Sequence, residues 1–416
     1  MDGTASATGR RAYVHGAIAL VVAAWILSGC AAPDAPPVSY TLSGDTEFGI
    51  SFMGFTDERT RAHVAEHLEP LGVTHTRLEA EWGFREPSEG TYEWGPMDER
   101  MAFLEEHGLT AVITIPADAP EWLRNRLPAE KKNERSAALD ADGREQLKRF
   151  VTDFLVRYGE RHPGLVRYVQ FGNEWASSYN YAGTGEDFRR SQAAFYDAVK
   201  SVDPTITVVL GGFSVGWLAG LAMYDGTIGS FWDSDGSVVT RDELLAALDE
   251  EQADFDAGRI EETSLSRVQI VLDDAKYDWV DAHLYDQYED FAEYVEALRS
   301  RLPASFAGRV VVTEFGGPHP VRERDLSDGE HAEMVERYIA AIDPLDVEFA
   351  LHFRLVRSKS AVHDRSGLMR RGLFGPVPLP AYEVFGRINA PDAWGVPRTL
   401  LVDGPSTDTL PISPPL

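Results

Sequence analysis

VRYVQFGNEW, residues 166–175, reads as a strand of apolar and aromatic residues that runs straight into an Asn-Glu pair. RVVVTEFGGP at 309–318 has the same form, an apolar run closing on a glutamate with glycine and proline behind it. Outward from these two, six more short runs of this kind are spaced along the chain: FGISF (48–52), THTRLEA (74–80), AVITI (111–115), ITVVLGG (206–212), WVDAHLY (279–285) and VEFALHF (347–353). Continuous Val/Ile/Leu runs of this length suit strands buried on both faces.

Between the runs lie segments such as ERTRAHVAEHLEPLG, MDERMAFLEEHG, REQLKRFVTDFLVRYGERH and FRRSQAAFYDAVKSV, whose apolar residues recur at three- and four-residue spacing. Eight strands, each followed by a helix, predict an α/β chain closed as a (β/α)8 TIM barrel, one domain over residues 46–390. A doubly wound open sheet shares the alternation. It lacks support here, because neither GxGxxG nor GxxxxGK[ST] follows the first strand. With 44% hydrophobic and 11% aromatic residues in 416, the chain can bury a core of that size.

Active sites in this fold sit at the C-terminal ends of the strands, where Glu174 and Glu314 fall, after strands four and seven. Two carboxylates so placed fit glycosidic cleavage. That reaction passes through an oxocarbenium-like transition state, so one carboxylic acid protonates the leaving oxygen while one carboxylate faces the anomeric carbon. Asn-Glu alone is a weak signal, since an asparagine after a strand also serves as the N-cap of the next helix. Arg77 could equally be a buried partner of Glu79 or Glu81, and His283 a satisfied core histidine. The reading rests on the ordered set: Arg77, then Asn173-Glu174, then His283 and Tyr285, then Glu314, on strands two, four, six and seven.

This set resembles the retaining (β/α)8 glycoside hydrolases of clan A, which include β-xylosidases, α-L-iduronidases, β-galactosidases and cellulases. The resemblance implies that Glu174 is the acid/base, that Asn173 contacts the sugar 2-hydroxyl and that Glu314 is the nucleophile. It further implies that Arg77 holds the nucleophile and that His283 and Tyr285 hydrogen-bond around it. PSEGTYEWGPMD (87–98) and GLFGPVPLPAYEVF (372–385) resemble the clan's second loop and its final helix start. Strand eight departs from the pattern, with ALHFRL (350–355) where the clan ends the strand in tryptophan, so that His352 or Arg354 is expected in that space. Trp82, Trp122, Trp175 and Trp217 follow strands two, three, four and five, and Trp175 is expected to touch substrate.

The net charge of −28 argues against nucleic acid as a partner and points to a solvated acidic surface. Against that background, Arg354, Arg357, Lys359, Arg365, Arg370 and Arg371 stand in one stretch with only Asp364, which suits either an anionic sugar or pairing with acidic neighbours such as residues 241–257. About 60 residues separate strands five and six, an insertion long enough to wall the cleft or cover the barrel's side. No cofactor motif is present. His63 and His67 fall on an amphipathic outer helix and read as surface residues rather than metal ligands.

At the N-terminus, Arg10 and Arg11 precede an apolar stretch ending in LSGC at 27–30, which resembles a bacterial lipobox. This predicts a signal peptide over 1–29, lipid attachment at Cys30, a flexible tether over 30–45 and a C-terminal tail over 391–416. An uncleaved signal anchor is the alternative. Cys30 is the one cysteine, so no intrachain disulfide forms. The expectation is an exported, membrane-anchored glycosidase acting on an oligo- or polysaccharide. Its rival is a non-catalytic carbohydrate-binding lipoprotein on the same barrel.

Overall fold

All eight apolar runs become barrel strands in the computed structural model, which describes residues 39–395 apart from 43, 52, 55–56, 359–361 and 374. The expected signal peptide, Cys30 and Lys359 lie outside the described residues. The barrel strands are β1 (Glu47–Ser51), β2 (His75–Glu79), β3 (Thr110–Ile115), β4 (Tyr168–Phe171), β5 (Thr207–Phe213), β8 (Trp279–Tyr285), β9 (Val310–Gly316) and β10 (Val347–Phe353). A short hairpin, β6 (Ser230–Trp232) and β7 (Val238–Thr240), belongs to the insertion and stands outside the barrel. The strands pair in parallel in the order β1-β10-β9-β8-β5-β4-β3-β2 and close on β1.

Side chains alternate along a strand, and inside this barrel the alternation sorts by height. Low in the barrel Val112, Val209, Val311, Phe349 and Leu351 form an apolar plug, with Tyr168 and Trp279 packed against it. Two residues further along the same strands the residue types turn polar: Thr114, Gln170, Asp281 and Thr313, all fully buried. The site is therefore built directly on the plug. Between β8 and β9 the register shifts, which brings His283 opposite Glu314.

Helix α1 (Glu58–Leu71) starts with a reciprocal capping box between Asp57 and Thr60 and packs against α10 (Pro380–Asn389), the last of the ten longer helices among the described residues, numbered in chain order. The chain is docked from Ser39 rather than from residue 46, because Ser39 and Tyr40 bond Glu336 while Tyr40 and Gly44 bond Asp343. At the other end Pro391–Trp394 forms a 3-10 turn, and Trp394 Nε1 donates to Pro70 O at 2.7 Å, so the expected tail begins later than 391.

The insertion divides between the two ends of its length. Trp232 N donates to Gln287 Oε1, and Arg322 and His319 bond Gly236 O and Asp233 O, which fixes the hairpin to the loops after β8 and β9 at the C-terminal ends of the strands. Helix α6 (Arg241–Asp256) buries none of its residues and lies outside as a solvated face.

Candidate active site

Arg77 rises from β2 into the polar layer and is almost fully buried. A guanidinium offers five donors in a fixed fork, and Arg77 spreads its own over several acceptors. Nε donates to Thr114 Oγ1 at 2.9 Å, Nη1 to Glu314 Oε1 at 2.5 Å, and Nη2 to Gln170 Oε1 and Asn173 Oδ1, each at 2.8 Å. Arg77 thus serves Glu314 rather than Glu79 or Glu81, and Glu81 faces Arg100 instead. Because Asn173 spends its oxygen on Arg77, its amide nitrogen is the end left to donate to a ligand.

Glu314 is clamped at both oxygens. Tyr285 OH donates to Oε2 at 2.7 Å. Burial and the charge of Glu314 hold the phenol proton well above its ordinary pKa, so Tyr285 stays a donor.

His283, fully buried, stands between the two glutamates. Its Nδ1 lies 3.0 Å from Glu174 Oε1 and 3.7 Å from Glu314 Oε2, and its Nε2 lies 3.3 Å from Asp281 Oδ2. Burial opposes a charged imidazole. The carboxylates of Glu314, Asp281 and Glu174 outweigh it and raise His283 to about 10. For Glu174 burial likewise works upward, but the hydrogen bond and charge of His283 leave its carboxyl below the ordinary value. Asn180 Nδ2 holds the other Glu174 oxygen at 3.1 Å.

Glu174 itself adopts φ +48°, the left-handed backbone region that few residues other than glycine occupy, and such outliers cluster where function fixes the backbone. Its side chain is 25% exposed against 10% for Glu314, so the more open carboxylate is the one after strand four. Gly212 makes room for the histidine. A Cβ at that position would sit 2.2 Å from His283 Nε2.

The structure brings Arg77, Asn173, Glu174, His283, Tyr285 and Glu314 together. It does not bring Trp175 with them. The indole is fully buried, stacked on Phe188 at 4.6 Å with Nε1 donating to Gly211 O, so it packs the barrel wall and touches no cleft. The positive φ at Glu174 turns the chain, and the next side chain goes inward. Trp82 is buried on Phe150 as well, whereas Trp122 and Trp217 are half-buried.

His352 does not fill the space expected of strand eight. His352 is fully buried between Phe315 and Phe385, and the half-exposed ring facing Tyr285, edge-on at 5.9 Å, is Phe353. Arg354 lies with its guanidinium carbon 5.5 Å from that ring. The basic stretch disperses. Arg357 pairs with Asp328 and Arg365 donates to Leu326 O, not to the 241–257 helix, while Arg370 and Arg371 are exposed on the small strand Met369–Arg371.

Several site residues escaped the sequence reading. Gln170 and Asp281 stand two or more residues before the recognised positions on their strands, and strand alternation could have found them. Asp286 and His363 had no signal. His363 stacks on Tyr285 at 4.0 Å and lies 3.7 Å from the buried Asp286, which has φ +68°. Burial and Glu323 raise Asp286 to about 8, and burial lowers His363 to about 4 against the pull of Glu174, so both are neutral near pH 7.

Comparison with known proteins agrees with this layout in two ways. The Glyco_hydro_42 family profile, beta-galactosidase, matches residues 56–202, a stretch that holds Arg77, Asn173 and Glu174 and ends before Glu314. Beta-galactosidase of Thermus thermophilus is 33% identical over 109 residues, 23% of this chain and 17% of that protein, and beta-galactosidase BgaA of a Thermus species is 32% identical over 157 residues, 34% and 23%. The chain thus spans less than a quarter of the length of these relatives.

Solved structures match over the whole barrel. A beta-xylosidase from Caulobacter crescentus CB15 superposes with TM-score 0.56 at 16% identity, covering 86% of this chain and 70% of that one. The GH1 beta-glucosidase from Exiguobacterium antarcticum B7 gives 0.57 at 11%, covering 86% and 100%. At these identities the likeness shows the (β/α)8 fold alone.

Proposed function

We propose that the chain is a retaining glycosidase, with Glu314 as nucleophile and Glu174 as acid/base. One observation carries this: a single ring nitrogen, His283 Nδ1, touches Glu174 at 3.0 Å and approaches Glu314 at 3.7 Å. The sum of those contacts bounds the distance between the two contacted oxygens, Glu174 Oε1 and Glu314 Oε2, and is compatible with the retaining spacing of about 5–5.5 Å between carboxyl groups. Glu314 attacks the anomeric carbon as Glu174 protonates the departing oxygen. Glu174 then takes a proton from the water that displaces Glu314.

The similarity to beta-galactosidases makes neutral β-D-galactosides the first substrates to test. Anionic sugars come second, because Arg357 and Arg365 are engaged within the fold. Hydrolysis of an aryl β-D-galactoside followed by proton NMR should release the β-anomer first. Release of the α-anomer first would overturn the retaining reading, and no Glu314-dependent hydrolysis across a panel of aryl glycosides would favour a carbohydrate-binding barrel.

We further infer export and attachment to an envelope membrane through Cys30, from the LSGC sequence and the polar, proline-rich residues after it. Cys30→Ser should shift the protein from the membrane to the soluble fraction on cell fractionation. Retention of the variant would point to an uncleaved anchor.

A further inference from the structure

Away from the cleft, HVAEH at 63–67 places His63, Glu66 and His67 on one face of α1, since residues three and four apart on a helix are neighbours. One potential ligand atom from each lies within 4.8 Å of the other two. The histidine rings meet edge to face at 4.7 Å. Both Nε2 atoms are buried without a hydrogen-bond partner, a costly state for two polar nitrogens on the same face. His67 Nδ1 is taken by Tyr382 OH at 2.9 Å, an arrangement that leaves Nε2 as the free nitrogen. Metal-ligating imidazoles are held in this way, by a polar partner on the second ring nitrogen.

We propose that His63, Glu66 and His67 form a site for a divalent cation of the zinc type, with Tyr382 of α10 as a positioning residue behind His67. Two imidazoles and one carboxylate suit zinc, nickel or copper over magnesium or calcium. Glu66, with a side chain 73% exposed, is free to swing onto the ion. The site lies on the outer ring of helices, at the contact between α1 and α10. Its ligands all come from α1, so it would stabilise that helix, with the His67–Tyr382 hydrogen bond linking the site to α10, and it takes no part in the glycosidase chemistry proposed above.

Calorimetric titration of chelator-treated protein with zinc chloride tests this. One ion should bind per chain with a micromolar Kd, and at 100-fold Kd the ion should raise Tm by roughly 3–4 °C. His63→Ala and His67→Ala should each abolish the binding, and Tyr382→Phe should weaken it about tenfold. Should His67→Ala fail to fold, His63→Ala and Glu66→Gln at more exposed positions carry the same test. Absence of zinc binding by the unaltered protein, or affinity unchanged in His63→Ala and Glu66→Gln, would overturn the assignment.

Discussion

Glu314→Gln lowers kcat by about 10^5, close to 7 kcal/mol of transition-state stabilisation, with KM little changed. The amide keeps the shape of the carboxyl and can still meet Tyr285, but it cannot form the glycosyl ester on which a two-step displacement depends. Arg77 then faces a neutral group in a buried site, so the variant should also be less stable. Losing one partner of a buried pair costs about 3–5 kcal/mol, and here the three other acceptors of Arg77 soften the loss. Two measurements check the result: single-turnover kinetics of the variant, and a mass increment on the Glu314 peptide of unaltered protein treated with a 2-fluoro-glycoside. Substantial turnover by Glu314→Gln, or a label elsewhere, would remove Glu314 from the nucleophile's role.

Glu174→Ala gives a loss that depends on the leaving group. For alkyl or sugar aglycones kcat/KM falls by about 10^3, within the range general acid catalysis supplies, and for dinitrophenyl glycosides it falls far less. Azide should restore turnover of the activated substrates as a glycosyl azide. A uniform loss across leaving groups would assign Glu174 to binding instead.

The pH profile of the unaltered protein follows from where the acid proton resides. His283 holds Glu174 below its ordinary pKa and is itself raised to about 10, so the proton bound for the leaving oxygen is kept on the pair. A raised histidine pKa keeps that proton in place below about 10 and loses it as pH rises through that value. Activity should therefore persist into the alkaline range, and His283→Asn should narrow the profile from that side. An alkaline limb unmoved by His283→Asn would detach the histidine from the proton's path.

The barrel was legible because burial on both faces leaves a signature in every strand. A closed parallel sheet needs eight continuous apolar runs, and periodic helices must follow them to cover its outside. The carboxylate pair was legible for a related reason, since strand ends in this fold are the site. What the sequence hid depends on contacts across the barrel. Gln170 and Asp281 look like ordinary interruptions of an apolar run until Arg77 and His283 are seen bonded to them. Trp175 misled because its neighbour takes a left-handed backbone, a conformation no residue pattern announced. His363 sits in a loop after the last strand, and only its stacking on Tyr285 shows where it belongs.

The polar layer above the plug also has a consequence for stability. Arg77, Gln170, Asp281, His283 and Glu314 occupy space that valine, leucine and phenylalanine fill one storey below. Apolar replacement of buried ion pairs is often neutral, or stabilising by about 1–4 kcal/mol. A barrel of this sequence freed from chemistry would therefore drift toward a greasy upper storey and a higher melting temperature. On the proposed function, the five mutually dependent polar groups would be a place where stability is given up for chemistry, while the apolar plug below them is untouched by that trade.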